Sequence, residues 1–323
     1  MEYVPIIHHL RREQIDSQKW DTIIAQSMVG TIYNYSYVLD ALFPKWSALI
    51  IGDYDYIFPI TLSKKLGITY FYPPLFHSYF SVFSTKNVSD KIQAAFLNEL
   101  KHYCLFYEFP FLPVTTTQFP KEILVKPKVG QLLHLRDNET QLKQNFNKQL
   151  TRNLKKSHHL ELKFEINNHL LQEVVQTFQL NVGHKLKELT PSSYEALALF
   201  MQTTIAAGKG SIYACYSDDQ LLAIGFFTFS NQRIIYHKGG NTSEGKKISA
   251  MSALLQHVIL SHSNSATNFD FGGSSIPSIK RYNDSFGAEQ HTFYTLIRKP
   301  ILIHCIKFLK KLISFKNRLA KTK

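Results

Sequence analysis

Two cations and an acid fall within residues 280–284: Lys280, Arg281 and Asp284. Neighbouring cations of this kind grip a carboxylate or a phosphate through charge-assisted hydrogen bonds. Asp284, the acid of that segment, is a candidate acceptor for a proton leaving an amine. Tyr282 and Asn283 between them add polar groups for a substrate. Upstream, Asp270-Phe271-Gly272-Gly273 reads as a strand end whose two glycines let the backbone come close to a ligand. A third cluster, Gly239, Gly240, Gly245, Lys246 and Lys247, precedes an amphipathic segment. A helix opening there would present free N–H groups and positive partial charge, and the two lysines would add attraction for phosphate. Tyr236 is a candidate substrate contact from the preceding strand. Plainer readings stand beside each of these: a glycine pair is often a turn, a lysine on a short helix is often solvated, and a strand tyrosine is often core.

Other chemistries find little support. His8-His9 and His158-His159 are adjacent pairs, which point apart on a helix or a strand, and neither HExxH nor His-x-His spacing occurs. No metal is expected. No Gly-x-Ser-x-Gly elbow is present, so Ser/His/Asp hydrolysis is unsupported.

The elements that must position these residues are clearest between 211 and 297. Segments 211–216, 221–230 and 233–238 read as three strands joined by tight turns at Ser217-Asp218-Asp219 and Asn231-Gln232, hence an antiparallel meander. A polar loop over 239–247 leads into a helix carrying Ile248, Met251, Leu255 and Val258 on one face. A short strand at 268–271, a short helix at 276–286 and a last strand at 289–297 follow. Earlier in the chain, the Gly52-Asp53 turn predicts a hairpin of 47–51 with 56–62, and Ile92, Phe96 and Leu100 predict a helix over 90–106. A strand is expected at 111–118. Leu142, Phe146, Leu150 and Leu154 form one helical stripe, with Lys143, Lys148, Arg152, Lys155 and Lys156 largely outside it. That basic face is either solvated or a patch beside a phosphate-bearing substrate. Pro120, Pro127 and Gly130 mark 119–130 as the expected domain boundary.

The chain has 323 residues, 44% hydrophobic and 19% charged, enough for two folded domains. Cys104, Cys215 and Cys305 are scattered and odd in number, which fits a reducing compartment better than a disulfide framework. The N-terminal stretch lacks a signal-peptide pattern, so a cytoplasmic location is expected. The net charge of +13 is uneven, because residues 298–323 hold nine Lys or Arg and no acid. Nucleic-acid binding by the chain as a whole loses weight accordingly. From Pro300 onward Leu302, Cys305, Ile306, Leu309, Leu312 and Ile313 share a helical face opposite Lys307, Lys310, Lys311 and Arg318. A peripheral contact of 300–323 with the anionic inner membrane surface is the expectation drawn from this pattern.

The order of meander, glycine-bearing loop, amphipathic helix, strand, short helix and strand resembles the GNAT fold of N-acyltransferases. The segments Asn268-Phe269-Asp270-Phe271-Gly272-Gly273 and Ile279-Lys280-Arg281-Tyr282-Asn283-Asp284-Ser285-Phe286-Gly287-Ala288 look like the end of Fem-type aminoacyltransferases, which build peptidoglycan cross-bridges from aminoacyl-tRNA. The resemblance implies an α/β (α+β) architecture of two tandem GNAT-like units, with mixed sheets flanked by helices: 1–130, then 131–298, then a basic amphipathic tail, 299–323. It implies transfer of an acyl or aminoacyl group onto an amine of an anionic substrate that is nucleotide-, lipid- or CoA-linked, in cell-envelope metabolism. Acyl-CoA or aminoacyl-tRNA would be the donor, so tRNA and a small-molecule or lipid-linked substrate are the partners to expect. No stable protein partner is inferred. Two departures support an alternative, a non-catalytic GNAT-like binding protein for a nucleotide- or lipid-linked ligand. Fem-type enzymes have Phe-Lys-x-x-Phe-Gly where this chain has Tyr282-Asn283-Asp284-Ser285-Phe286-Gly287, and 240–247 does not match the Arg/Gln-x-x-Gly-x-Gly/Ala turn of acetyl-CoA-using members.

Overall fold

The computed structural model describes residues 5–114, 118–157, 160–186, 189–273 and 276–299. The tail 300–323, with its expected membrane contact, lies outside the described residues. Near the N-terminus, β1 (Ile7–Arg11), β2 (Ser47–Ile51) and β3 (Tyr56–Ile60) pair antiparallel into a three-stranded sheet. The expected hairpin is β2–β3, turning through Gly52 and Tyr54 at positive φ. Two helices intervene between β1 and β2. In α1 (Ser17–Gln26), Asp16 caps the start by accepting the Gln18 and Lys19 N–H groups. It is followed by α2 (Ser36–Leu42).

Leu62, expected to end the hairpin, instead opens β4 (Leu62–Lys65), which pairs with β5 (Ile68–Phe71) in a second sheet. The helix predicted over 90–106 is shorter: α3 (Asp90–Glu99) runs into a 3-10 turn, and the chain is already extended at β6 (Phe106–Phe111). The strand expected at 111–118 therefore lies five residues earlier. The anticipated boundary at 119–130 runs from an irregular stretch into β7 (Leu124–His134), an 11-residue strand that carries Pro127 at a position facing Tyr294.

The single stripe from Leu142 to Leu154 is split between α4 (Glu139–Gln144) and α5 (Lys148–Lys155), because Asn147 caps a new helix by accepting the Leu150 N–H. Both helices keep Leu142, Leu150 and Leu154 buried, as the stripe predicts. After β8 (Lys163–Ile166) come α6 (Leu171–Asn181) and α7 (Pro191–Ala206), the latter with the expected Thr190 cap and Pro191 at its first turn. The meander is β9 (Gly210–Ser217), β10 (Gln220–Ser230) and β11 (Arg233–Asn241). Asp218, Asp219, Asn231 and Gln232 all take φ between 47° and 60°, which matches the twist of the strands they join.

The predicted loop 239–247 is not a loop. Gly239 to Asn241 finish β11, and α8 (Ser243–Ile248) follows, capped by Thr242. Ser249, in the left-handed region, separates α8 from α9 (Ala250–Leu260). The chain ends its described part with β12 (Asn268–Gly273), α10 (Pro277–Asp284) and β13 (Glu289–Arg298).

The second sheet has ten strands in the order β4-β5-β6-β13-β7-β12-β11-β10-β9-β8. The late strand β13 lies between β6 and β7, so elements from both parts of the sequence share one sheet. They share a core too. Trp20, Tyr33, Trp46 and Phe83 pack in one cluster with Phe178, Phe200 and Phe226. A second cluster fills the space beneath α5 and α9, and a third lies under α3 around Phe58, Phe96 and Leu296. No helix among the described residues is long and apolar enough to cross a membrane.

Candidate functional site

The strands β11 and β12 run parallel for only three pairs, Arg233 with Asn268, Ile234 with Phe269 and Ile235 with Asp270. Beyond them the strands part. An ion pair holds the closed end of this fork: Arg233 Nη1 donates to Asp270 Oδ2 at 2.9 Å, and the Asp270 side chain is fully buried. The other oxygen of Asp270 accepts the Gly272 N–H at 2.7 Å. Asp270 thus fixes the divergence of the strands and is not one of the residues facing the space they open.

That space is a cavity of about 430 Å³ lined by Tyr236, His237, Lys238 and Gly239 from β11, by Phe271 from β12, and by Ile276, Ile279, Tyr282 and Asn283 around α10. Phe76 and three residues on or just beyond α6, Phe178, Val182 and Leu186, close the remaining sides. Its size is within the range typical of small-molecule sites.

A β-bulge shapes the β11 wall. Phe226 faces Lys238 while Phe227 faces Tyr236, so His237 is an extra residue on its strand. Such a residue is left out of the ladder, and the side chains after it change faces. Lys238 thereby comes to the α6 side, with its ammonium 5.4 Å from the Phe178 ring centre and 5.5 Å from that of Phe76. Protein surrounds it, although the side chain keeps some accessible surface inside the cavity. Burial lowers its pKa to about 8. His237 is held at both ring nitrogens, Nδ1 3.2 Å from the Tyr33 hydroxyl and Nε2 2.7 Å from Thr228 Oγ1. Burial, and then the nearby Lys238, push its pKa well below the ordinary histidine value.

Tyr282 lies against Ser252, the two hydroxyls 3.1 Å apart, and burial raises its phenol to about 12. Burial raises Tyr236 further, with Tyr282 a smaller contributor. Asn283 is buried and donates to Gln131 Oε1 of β7 at 3.2 Å, which anchors α10 to the sheet. Asn283 stands at the lysine position of the Fem-type pattern; the lysine that lines the cavity is Lys238.

Four of the residues singled out in the sequence therefore meet at this cavity: Tyr236, Gly239, Tyr282 and Asn283. Others do not. Lys280, Arg281 and Asp284 lie on the face of α10 turned away from Ile279, Tyr282 and Asn283, because a helix advances about 100° per residue. Asp284 Oδ2 accepts from Lys280 Nζ at 3.0 Å, and Arg281 is exposed. Lys280 and Asp284, read as part of a cation grip and as a catalytic acid, form a partly exposed ion pair in which Asp284 Oδ1 is buried and has no partner among the described residues, and Arg281 is exposed.

The segment 239–247, read as a phosphate cradle, is largely taken up by packing on β10. A side chain on Gly239 would collide with the Ile224 carbonyl, and one on Gly245 with the Leu222 carbonyl, so both glycines serve close packing on β10. Gly240 packs against Asn181. The Gly245 N–H already bonds Thr242 Oγ1 at 3.1 Å, and the Met251 N–H bonds Asn241 Oδ1 at 2.7 Å. Lys246 is exposed, and Lys247 pairs with Glu244 at 2.7 Å. Gly272 has a φ of 70° and open space beside it, and Gly273 pairs with Gly130 of β7.

Sequence reasoning missed His237, Lys238 and the apolar walls Phe76, Phe178, Val182 and Leu186. The available signal was a lysine inside the apolar strand Arg233-Ile234-Ile235-Tyr236-His237-Lys238, where charge is out of place unless it has a use.

Residues 144–283 match the family described as Acetyltransferase (GNAT) domain. The matched stretch contains every described wall of the cavity except Phe76. The whole fold is similar to that of FemX, with a TM-score of 0.64 at 11% identity over 89% of this chain and 96% of that one. It is also similar to L-PGS from Bacillus licheniformis, with a TM-score of 0.53 at 12% identity over 88% and 92% of the two chains. A tandem GNAT protein from the clavulanic acid biosynthesis pathway gives 0.53 at 11% identity over 90% and 98%. No curated protein matches the sequence. The match assigns a GNAT domain to residues 144–283, and the fold of the whole chain is that of tandem GNAT structures.

Proposed function

We propose that this chain transfers an acyl or aminoacyl group onto an amine, and that the reaction takes place in the cavity where β11 and β12 diverge. The observation that carries the reading is the fork itself. A parallel pair ends after Ile235 and Asp270, and a bulge at His237 disrupts the adjoining ladder. Backbone groups released from a ladder in this way can polarise an acyl carbonyl without any side chain. Walls of Phe76, Phe178, Phe271, Ile276 and Ile279 give the two reactants an apolar surface against which they are held in contact.

The side chains divide the remaining work. Tyr236 and Tyr282 stay protonated through the neutral range, because burial raises both phenols. Either can donate a proton to the departing group of the donor. His237 is engaged at both nitrogens, and Asp284 lies on the face of α10 turned from the cavity. As the neutral amine bonds the acyl carbon and the bond to the departing group breaks, the proton the amine loses returns to the tyrosinate that protonated that group, so the exchange balances without a carboxylate. The likeness to FemX and L-PGS supports an aminoacyl donor and a cell-envelope acceptor over an acetyl donor.

The test is turnover by the purified full chain. Radiolabelled aminoacyl-tRNA and acyl-CoA would each be offered with amine-bearing acceptors, and the product examined for a hydroxylamine-resistant amide. Amide formation that falls at least about tenfold in Tyr236→Phe or Tyr282→Phe is the expected outcome. No turnover with any donor, while ligands still bind the cavity, would overturn the reading in favour of a non-catalytic binding protein. The absence of a carboxylate among the described cavity walls is the observation that favours that second reading.

A further inference from the structure

We propose that the occupant of this cavity carries one anionic group on an apolar body, and that Lys238 binds the anion. The inference rests on the site assigned above and narrows its substrate class.

Among the described residues Lys238 has no counter-ion. No ion pair or hydrogen bond joins its ammonium to any described residue, and its contacts are the faces of Phe76 and Phe178. Taking an ammonium out of water is costly unless it is paired. Two aromatic faces return only part of that cost. The titratable groups around it supply no negative charge near neutrality. On β11, Tyr236 is pushed up and His237 down; on α10, Tyr282 is raised to about 12; beside Phe76, His77 is lowered to about 3 by burial. All four are neutral at pH 8. The other described walls are uncharged and mostly apolar: Val182, Leu186, Gly239, Phe271, Ile276, Ile279 and Asn283.

Such a cavity is electrostatically incomplete, and a ligand with a single negative group completes it. A carboxylate or a phosphate on Lys238 would exchange an unpaired buried cation for a paired one, while an apolar body covers the aromatic and aliphatic walls. The cations of the predicted rim are poorer candidates, since Lys280 is paired with Asp284 and Lys247 with Glu244. Pairing would also draw protons. Burial alone holds Lys238 at about 8, so about half of these amines are neutral at pH 8 and would be charged on binding an anion.

Isothermal titration calorimetry of the full chain at pH 8, in two buffers of different ionisation enthalpy, tests this with octanoate, octyl phosphate and 1-octanol. At least one anion should bind about tenfold or more tightly than octanol, taking up about half a proton per molecule bound. The stronger of the two identifies the anion as carboxylate or phosphate. Lys238→Met should lose the preference and the proton uptake while still binding octanol. Lys238→Arg should keep the preference without the uptake, because guanidinium does not titrate there. Equal binding of octanol and both anions overturns the proposal, as does a preference retained by Lys238→Met or no binding of either anion by the wild type. Anion binding with no acyl transfer would count only against the transfer reading. Acyl transfer with no anion preference would count only against this one.

Discussion

The fork cavity and the groove beneath α5 hold their cations in opposite ways. The groove is the larger, about 640 Å³, between α5 and α9, with Phe146, Leu154, Phe164, Leu260, Lys143 and Lys155 among its walls. A recess of about 290 Å³ beside it adds Lys148 and Arg152. These cations are many and exposed, and Lys143 already reaches Glu139 at 3.1 Å. Among the described residues the cavity has one cation, enclosed and unpaired. In water an opposite charge 4 Å away gains about 1 kcal/mol, and the same contact gains several times more where solvent is excluded. The difference teaches that neither volume nor the number of lysines identifies a binding site; the cost already borne by a charged group does.

Several substitutions can break or sharpen this contrast. The largest effect is expected at the closed end of the fork. Asp270→Ala leaves Arg233 without its partner in a buried setting, and should lower stability by about 3–5 kcal/mol, read from the urea midpoint at constant m-value.

Lys238→Met should act in the other direction. The folded pKa of about 8 lies below the ordinary 10.5, so the unfolded chain binds more protons between those values. Burial of Lys238 therefore costs stability at neutral pH, and that cost is relieved as the pH rises through this window. The variant should be more stable at pH 7 by on the order of 1–2 kcal/mol, less than the full shift implies because the cavity admits solvent. Urea unfolding of both proteins at steps from pH 7 to 10.5 should show the gap narrowing. A gap that stays constant would mean that Lys238 is not the group being relieved.

Smaller again is the effect expected at the outer face of α10. Lys280→Ala and Arg281→Ala should each change stability by no more than about 0.5 kcal/mol, and leave the octanoate affinity of the cavity unaltered. A tenfold loss of affinity in either would return the cation grip to the position read from the sequence. The smallest effect should come from α5, where Lys148→Ala with Arg152→Ala and Lys155→Ala combined should stay within about 0.5 kcal/mol in thermal melts.

How much of this could be read beforehand depended on whether local sequence decides the outcome. The meander was legible because Asp218-Asp219 and Asn231-Gln232 tolerate the positive φ that a two-residue turn demands. The stripe through Leu142, Leu150 and Leu154 announced its buried face, although the cap at Asn147 divides the helix. Tyr282 and Asn283 share the cavity face of α10, whereas Lys280, Arg281 and Asp284 lie on its other side, a division that so short a helix does not announce in its sequence. Gly239 and Gly245 were read as part of a phosphate-binding loop, whereas each packs closely against the β10 backbone. Lys238 was missed because one bulged residue changes the side to which it points. No periodicity within β11 records that; it depends on the register against β10.

The position of β13 also governs the order in which the molecule can be assembled. Residues 289–298 pair with β6 on one side and β7 on the other. During synthesis β6 and β7 leave the ribosome more than 150 residues before the strand that must lie between them. Until it arrives, both present unpaired edges, the kind of surface that recruits strands from other chains. The sheet is completed by a contact of long sequence separation, which slows folding. A nascent chain stalled before residue 289 should accordingly be protease-sensitive in β6 and β7 even where the meander is already protected.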